Sequence, residues 1–259
     1  MIGKYFLRLA FVFACAFQAQ AQRVMFAGQN NYVAPVAPPT VVTNGLVLHL
    51  DAASYSSPST TWNDLSPQIN TATLVGTPTY TANPASFTFG SNMHATTTKT
   101  NVALSTVTFV AWVNPSQTQG LYTGVIFSRN GYGSSTVAAT GLNLYSGNSV
   151  GYHWADNVST YNWNSNLLVP NNEWSMIAVT VRSNMATTYL CKSSGMTSAT
   201  NSVSHAALSG LNFFIACDPM DKSTRAFKGK IATAMVYNTE LSQTDITSIF
   251  EAQKSRFGL

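Results

Sequence analysis

Residues 152–163 read Tyr152-His-Trp-Ala-Asp-Asn-Val-Ser-Thr-Tyr-Asn-Trp163, four tyrosine and tryptophan rings among amides and a carboxylate. Sugar recognition uses that mixture. The apolar face of a pyranose packs on a flat ring, while its hydroxyls need fixed amide and carboxylate partners. Tyr152, Trp154, Asp156, Asn157, Tyr161 and Trp163 are therefore the candidate ligand-binding residues. The competing use is structural: Trp154 and Trp163 would equally cover the end of a sandwich or fill its core. Asp218 and Asp221 are the only close pair of acids, and they follow a predicted strand. With backbone carbonyls they would offer oxygens to Ca²⁺, which takes about six to eight. A plain Asp-Pro turn accounts for the same residues. No cofactor is required by the sequence.

Other chemistries have no foothold. There is no His-Glu-x-x-His and no cysteine cluster for zinc. The four histidines, His49, His94, His153 and His205, stand alone in sequence, and His49 and His205 read as hydrogen-bonded structural imidazoles. Cys15 falls in a predicted leader. Cys191 and Cys217 are left, either as one disulfide or as two small buried thiols.

These groups must be carried by an exported β-rich scaffold. The chain has 259 residues, 45% of them apolar, enough for a proper core, but only 8% charged, where soluble domains average about 25%. Ser, Thr, Asn and Gln supply the polarity, as in secreted or assembled β proteins. Residues 1–21 read as a secretory signal: Lys4 and Arg8, then the apolar run Leu9–Phe17, then Ala19-Gln20-Ala21 as the cleavage site. That run is shorter than the roughly 20 residues of a membrane-spanning helix, so no transmembrane segment is expected after cleavage. Without Lys4 and Arg8 the 13 basic residues fall to 11 against 9 acidic ones, a net charge near +2. This is too weak to suggest nucleic acid. The cations Lys222, Arg225, Lys228 and Lys230 read as guards on a strand edge.

Residues 22–43 read as a Pro-rich linker, since Ala34-Pro-Val-Ala-Pro-Pro39 cannot join a central sheet. From 44 to 259 the pattern is one of short apolar runs punctuated by Gly, Pro, Asn and Ser. Strands are predicted at 46–50, 86–89, 107–113, 124–128, 141–145, 149–154, 174–181, 187–191, 211–217 and 229–237. The 174–181 and 187–191 runs form a hairpin over Ser183-Asn184. The spacing predicts an all-β, two-sheet sandwich or jelly roll. One helix follows, with Ser242 as N-cap, Asp245 completing a capping box, Leu241 and Ile246 as a staple, and an end near Gln253.

At this level the chain resembles the laminin-G-like, concanavalin A-like jelly rolls. Gly45-Leu-Val-Leu-His-Leu-Asp-Ala52 resembles that family's first strand, and Trp62-Asn-Asp-Leu-Ser66 its following turn. Phe109-Val-Ala-Trp-Val113 with Pro115, and Asn172-Glu-Trp-Ser-Met-Ile-Ala-Val179, resemble two inner strands. Phe227-Lys-Gly-Lys-Ile231 through Tyr237-Asn238 and Leu241-Ser242 resembles the closing signature, except that Ala232 and Thr233 replace its usual acidic pair. The resemblance implies a two-sheet antiparallel jelly-roll sandwich of about a dozen strands. Some proteins on this fold are glucanases, with a Glu-x-Asp-x-x-Glu pattern that pairs nucleophile and general acid. Here the three glutamates, Glu173, Glu240 and Glu251, have no acid two residues on. The resulting expectation is that the chain is not an enzyme but a secreted or cell-surface recognition module for a glycan or a surface protein. The alternative is a structural surface, envelope or virion component that self-associates as a homo-oligomer.

Overall fold

A computed structural model describes residues 41–97, 105–129, 139–208 and 212–259. The predicted leader and most of the predicted linker lie outside the described residues. Fifteen strands are present: β1 Leu46–Asp51, β2 Thr61–Trp62, β3 Ala72–Val75, β4 Thr79–Ala82, β5 Ala85–Phe89, β6 His94–Thr97, β7 Val107–Pro115 and β8 Thr123–Ser128. Then come β9 Thr140–Tyr145, β10 Ser149–Trp154, β11 Ser175–Arg182, β12 Met185–Lys192, β13 Gly195–Asn201, β14 Phe213–Ile215 and β15 Gly229–Tyr237. A one-turn helix α1, Val158–Tyr161, follows β10, and α2, Gln243–Gln253, follows β15.

The strands form two antiparallel sheets. One has eight strands in the order β13-β12-β11-β7-β15-β5-β4, with β1 lying beside the far half of β15. The other runs β10-β9-β8-β14-β6-β3-β2. Period-two alternation sorts the side chains. From β7, Phe109, Ala111 and Val113 enter the core between the sheets, where they meet Leu142, Val150 and Ile215. The same strand turns Val110 and Trp112 to the opposite face of its sheet. That face is also dry, because α2 lies on it with Ile246, Ile249 and Phe250. Trp112 stacks on Phe250, centroids 5.5 Å apart, and on Phe257, 4.1 Å apart, in the 3₁₀ turn that ends the chain. The long apolar run of β7 thus reflects burial on both faces.

The helix is built as its sequence predicts. Ser242 Oγ accepts from Asp245 N at 3.1 Å, and Asp245 Oδ2 accepts from Ser242 N at 2.9 Å, which closes the capping box. Ala232 and Thr233 lie at a bulge in β15 where the register slips against β7. Both are fully buried, on a strand whose outer face α2 covers. An acidic pair at these positions of this chain would have no water to face.

Of the two alternatives for the cysteines the buried-thiol one holds, and one other expectation is corrected. Cys191 and Cys217 are free thiols, one on β12 of the eight-stranded sheet and the other just past β14 of the seven-stranded sheet. Burial pushes each thiol up to about 12, as fits inert core cysteines. The edge-guard reading of the 222–230 cations fails, because β15 is a central strand and Lys230 lies between Asn114 and Thr88.

Candidate functional site

The outer face of the seven-stranded sheet carries a pocket of about 410 Å³, lined by Tyr122, Arg129, His153, Asp156, Tyr161, Met220 and Arg225. Alternation along β10 builds its floor. Val150, Tyr152 and Trp154 point into the inter-sheet core, so His153 must point out. The strand then turns on Ala155 and Asp156, both left-handed with φ of 52° and 53°, and Asn157 N bonds back to Trp154 O at 2.9 Å. Such a turn favours Asn-Gly or Asp-Gly, so Ala155 holds its conformation at a cost of order 1 kcal/mol. The turn swings Asp156 back over the sheet. Tyr122, at the mouth of β8, is also left-handed with φ 60°, which is unusual for a bulky side chain. Two of the pocket's lining residues, Tyr122 and Asp156, thus sit in left-handed backbone.

The charged groups are fixed by one another. Arg129 donates from Nε to Asp218 Oδ1 at 3.0 Å and from Nη2 to Oδ2 at 3.1 Å, a bidentate pair. Its Nη1 reaches Asp156 Oδ1 at 3.2 Å. Arg225 Nη1 donates to Asp218 Oδ2 at 2.7 Å, and its guanidinium lies 5.0 Å from the centre of the Tyr122 ring. Asp218 is fully buried and neutralised by both arginines. Two rings complete the walls: Tyr161 meets Tyr122 edge-on, with centroids 5.7 Å apart and planes at 90°, and leans on His153 at 5.0 Å.

His153 Nε2 lies 2.7 Å from Asp156 Oδ1. Burial lowers the imidazole pKa more than the Asp156 contact raises it. At neutral pH it is therefore an uncharged ring that donates its Nε2–H. Burial would raise the Asp156 carboxyl, but His153 and Arg129 together hold it below the usual range. Burial likewise lowers His49, His94 and His205 from the ordinary 6.5. The unfolded chain takes up these four protons first, so their contribution is complete above about pH 6.5 and is lost as the pH falls towards the folded values. Melting temperature should therefore fall steadily from pH 7 to pH 5. A flat profile over that range would contradict the burial of these rings.

The residues singled out in the sequence separate. Asp156 and Tyr161 line the pocket. Asn157 is the N-cap of α1, its Oδ1 accepting from Ser159 N at 2.9 Å. Tyr152 and Trp154 are each 1% exposed and belong to the core. The Tyr152 hydroxyl donates to His205 Nε2 at 3.0 Å, since His205 Nδ1 donates to Arg182 O at 2.8 Å. Trp154 Nε1 donates to Ala206 O at 2.7 Å. Trp163 is half-buried against Tyr152, with centroids 5.9 Å apart. None of these three rings lines the pocket, because strand alternation directs 152 and 154 inward and 163 follows them. The calcium reading of Asp218 and Asp221 also gives way. Asp218 is saturated by guanidinium, and Asp221 accepts from Ser223 N, Thr224 N and Thr224 Oγ1 within its own turn. Among the described residues no group of three or more His, Cys, Asp or Glu gathers to hold a metal.

The sequence reading missed Tyr122, Arg129, His153, Met220 and Arg225. Alternation along β10 was a usable signal for His153, and a cation ending a buried strand was one for Arg129. Arg225 and Met220 come from a loop whose path no local pattern records. A second, more open hollow of about 560 Å³ lies at Tyr55, Pro58, Pro78 and Tyr80 and has no charged lining residue.

Comparison with known proteins bears on this fold directly. The sequence profile of the concanavalin A-like lectin/glucanases superfamily matches residues 89–247. The chain belongs to that superfamily. Among solved structures, Trypanosoma rangeli sialidase in complex with sialic acid superposes with a TM-score of 0.61 at 16% identity, covering 86% of this chain and 36% of the sialidase. Domain 4 of AbnA, a GH43 extracellular arabinanase from Geobacillus stearothermophilus, in complex with arabinotriose, gives 0.56 at 16% identity, covering 82% of this chain and all of that domain. The binding domain of botulinum neurotoxin DC in complex with SialylT gives 0.53 at 11% identity, covering 82% of this chain and 52% of that one. No curated protein matches the chain. At these identities the superpositions show the superfamily fold alone, and the chain spans only about a third of the sialidase. They do correct one expectation. Two of these solved structures come from enzymes, a sialidase and an arabinanase, so the lack of a glucanase-type glutamate pair is no ground for calling this superfamily member a non-enzyme. Among the described residues no helix is long and apolar enough to cross a membrane.

Proposed function

We propose that the chain is a carbohydrate-binding module and that its site is the pocket on the outer face of the seven-stranded sheet. One observation carries the reading: perpendicular tyrosine rings, Tyr122 and Tyr161, flank a fixed set of donors and acceptors supplied by Arg129, His153, Asp156 and Arg225. Rings give a sugar its stacking surface, and pre-paired polar groups meet its hydroxyls without a cost of ordering. Solved structures of like fold are complexed with sialic acid and with arabinotriose, which supports the reading. Export is part of the proposal and rests on the Lys4, Arg8, apolar-run and Ala19-Gln20-Ala21 pattern.

The test is a glycan array followed by titration calorimetry on the best ligand. Tyr161→Ala should weaken binding by about tenfold, since an aromatic contact contributes up to ~1.5 kcal/mol beyond its area. Cooperative unfolding should survive, because Tyr161 is only half-buried on a one-turn helix. Unchanged affinity in Tyr161→Ala would place the sugar elsewhere.

A further inference from the structure

The hydrogen bonds already made in the pocket leave a specific set unmade. Asp218 is fully buried, and its two oxygens are taken by Arg129, Arg225 and the Met220 amide. Asp156 accepts both Arg129 and His153 through Oδ1. Among the described residues nothing donates to its Oδ2. Arg225 spends only Nη1, on Asp218, so its Nε and Nη2 donate to no described residue. Those two positions form a guanidinium edge of the kind that grips a carboxylate through two parallel bonds. The guanidinium is anchored through Nη1 on the buried Asp218, and its carbon lies 5.0 Å from the centre of the Tyr122 ring, so the edge is pre-oriented. Arg129 links the two ends, bonding Asp156 on one side and, through Asp218, Arg225 on the other.

Among the described residues the pocket therefore offers one unused anionic acceptor and one unused cationic fork, beside two rings. A neutral sugar has hydroxyls for Asp156 Oδ2 but nothing that uses a planar fork fully. A carboxylate-bearing sugar uses both. The geometry points to a carboxylate-bearing pyranose as the ligand class of this pocket, its carboxylate on Arg225 and its hydroxyls on Asp156. With His153 uncharged, the charges of Arg129, Arg225, Asp156 and Asp218 cancel. Selection thus comes from the fit of fork to carboxylate rather than from long-range attraction. This inference rests on the carbohydrate-binding reading of the same pocket. The shared chemistry is found both in sialic-type sugars and in uronic acids.

The experiment is titration calorimetry of the protein with 3′-sialyllactose, with a glucuronate-terminated disaccharide, with the methyl ester of each, and with lactose. At least one acid should bind about tenfold or more tightly than its own ester, as expected for a hydrogen bond to a charged group. The acid that does so identifies the source. Arg225→Met should bring that acid down to the affinity of its ester, and Arg225→Lys should restore only part, because a lysine has charge but no fork. The ester comparison uses unaltered protein, so it stands even if an Arg225 variant folds poorly. Equal affinity for acid and ester, or tighter binding of lactose, overturns the carboxylate inference and leaves the carbohydrate reading intact. If no sugar binds here and the array is also blank, both fail.

Discussion

Asp218→Ala should cost about 3–5 kcal/mol of stability and remove ligand binding altogether. That range is typical when one partner of a buried ion pair is deleted and the other is left uncompensated. Here two guanidiniums lose their anchor at once. Among the described residues Arg129, whose side chain is 6% exposed, keeps one carboxylate partner, Asp156, and Arg225 keeps none. The local backbone has little room to adapt. A Cβ on Gly124 would lie 2.2 Å from Asp218 N, so strand β8 and the Asp218 loop are already in contact. Asp218→Asn retains the shape but not the charge, and should fall between Ala and the native residue. Chemical denaturation checks the stability term, and calorimetry the binding. A loss below about 1 kcal/mol would mean that the arginines are not held by this carboxylate.

Trp112→Ala should be as damaging, again by about 3–5 kcal/mol, the usual cost of truncating a buried tryptophan. Its effect should be on stability and not on the pocket. Trp112 lies on the helix-covered face of the eight-stranded sheet, between Phe250 and Phe257, and is fully buried. Removing the ring takes away the surface on which α2 and the terminal turn rest. Its indole Nε1 has no hydrogen-bond partner among the described residues. Trp112→Phe keeps most of the stacking and deletes an unsatisfied N–H, so it should cost much less than Trp112→Ala. Denaturation midpoints of the two variants make the comparison. Equal losses would show that the stacked arrangement is not what secures the helix.

The most buried strands were legible in sequence because their composition records that burial. β7, β10, β11 and β15 carry Val, Ile, Phe and Trp in runs that only a core explains, and each appears where it was predicted. The capping box of α2 was legible because Ser242 and Asp245 act within one turn. The strands β2, β3, β4, β6 and β13 were not. They are short or Thr-rich, and β13 (Gly195–Asn201) shows mostly exposed side chains. Such strands are set by ladder bonds to a neighbour rather than by their own apolar pattern. The same limit applied to the pocket. Asp156 and Tyr161 lie near one another in sequence and were read together. Arg129, Asp218 and Arg225 meet only because β8, the loop after β14 and the approach to β15 converge, with Gly124 N bonding Arg225 O at 3.1 Å. The richest aromatic stretch offered either a binding surface or core cover, and strand geometry divides it, sending Tyr152 and Trp154 into the core and His153 to the other side.

The most direct test of the whole account is to locate the bound sugar by NMR. Amide and side-chain shifts of isotope-labelled protein would be followed during titration with the best array ligand. The account predicts that the largest changes fall on Tyr122, Arg129, His153, Asp156, Tyr161 and Arg225, and that Tyr152 and Trp154 move little. Changes centred on Tyr55 and Tyr80, or on no contiguous surface at all, would contradict it.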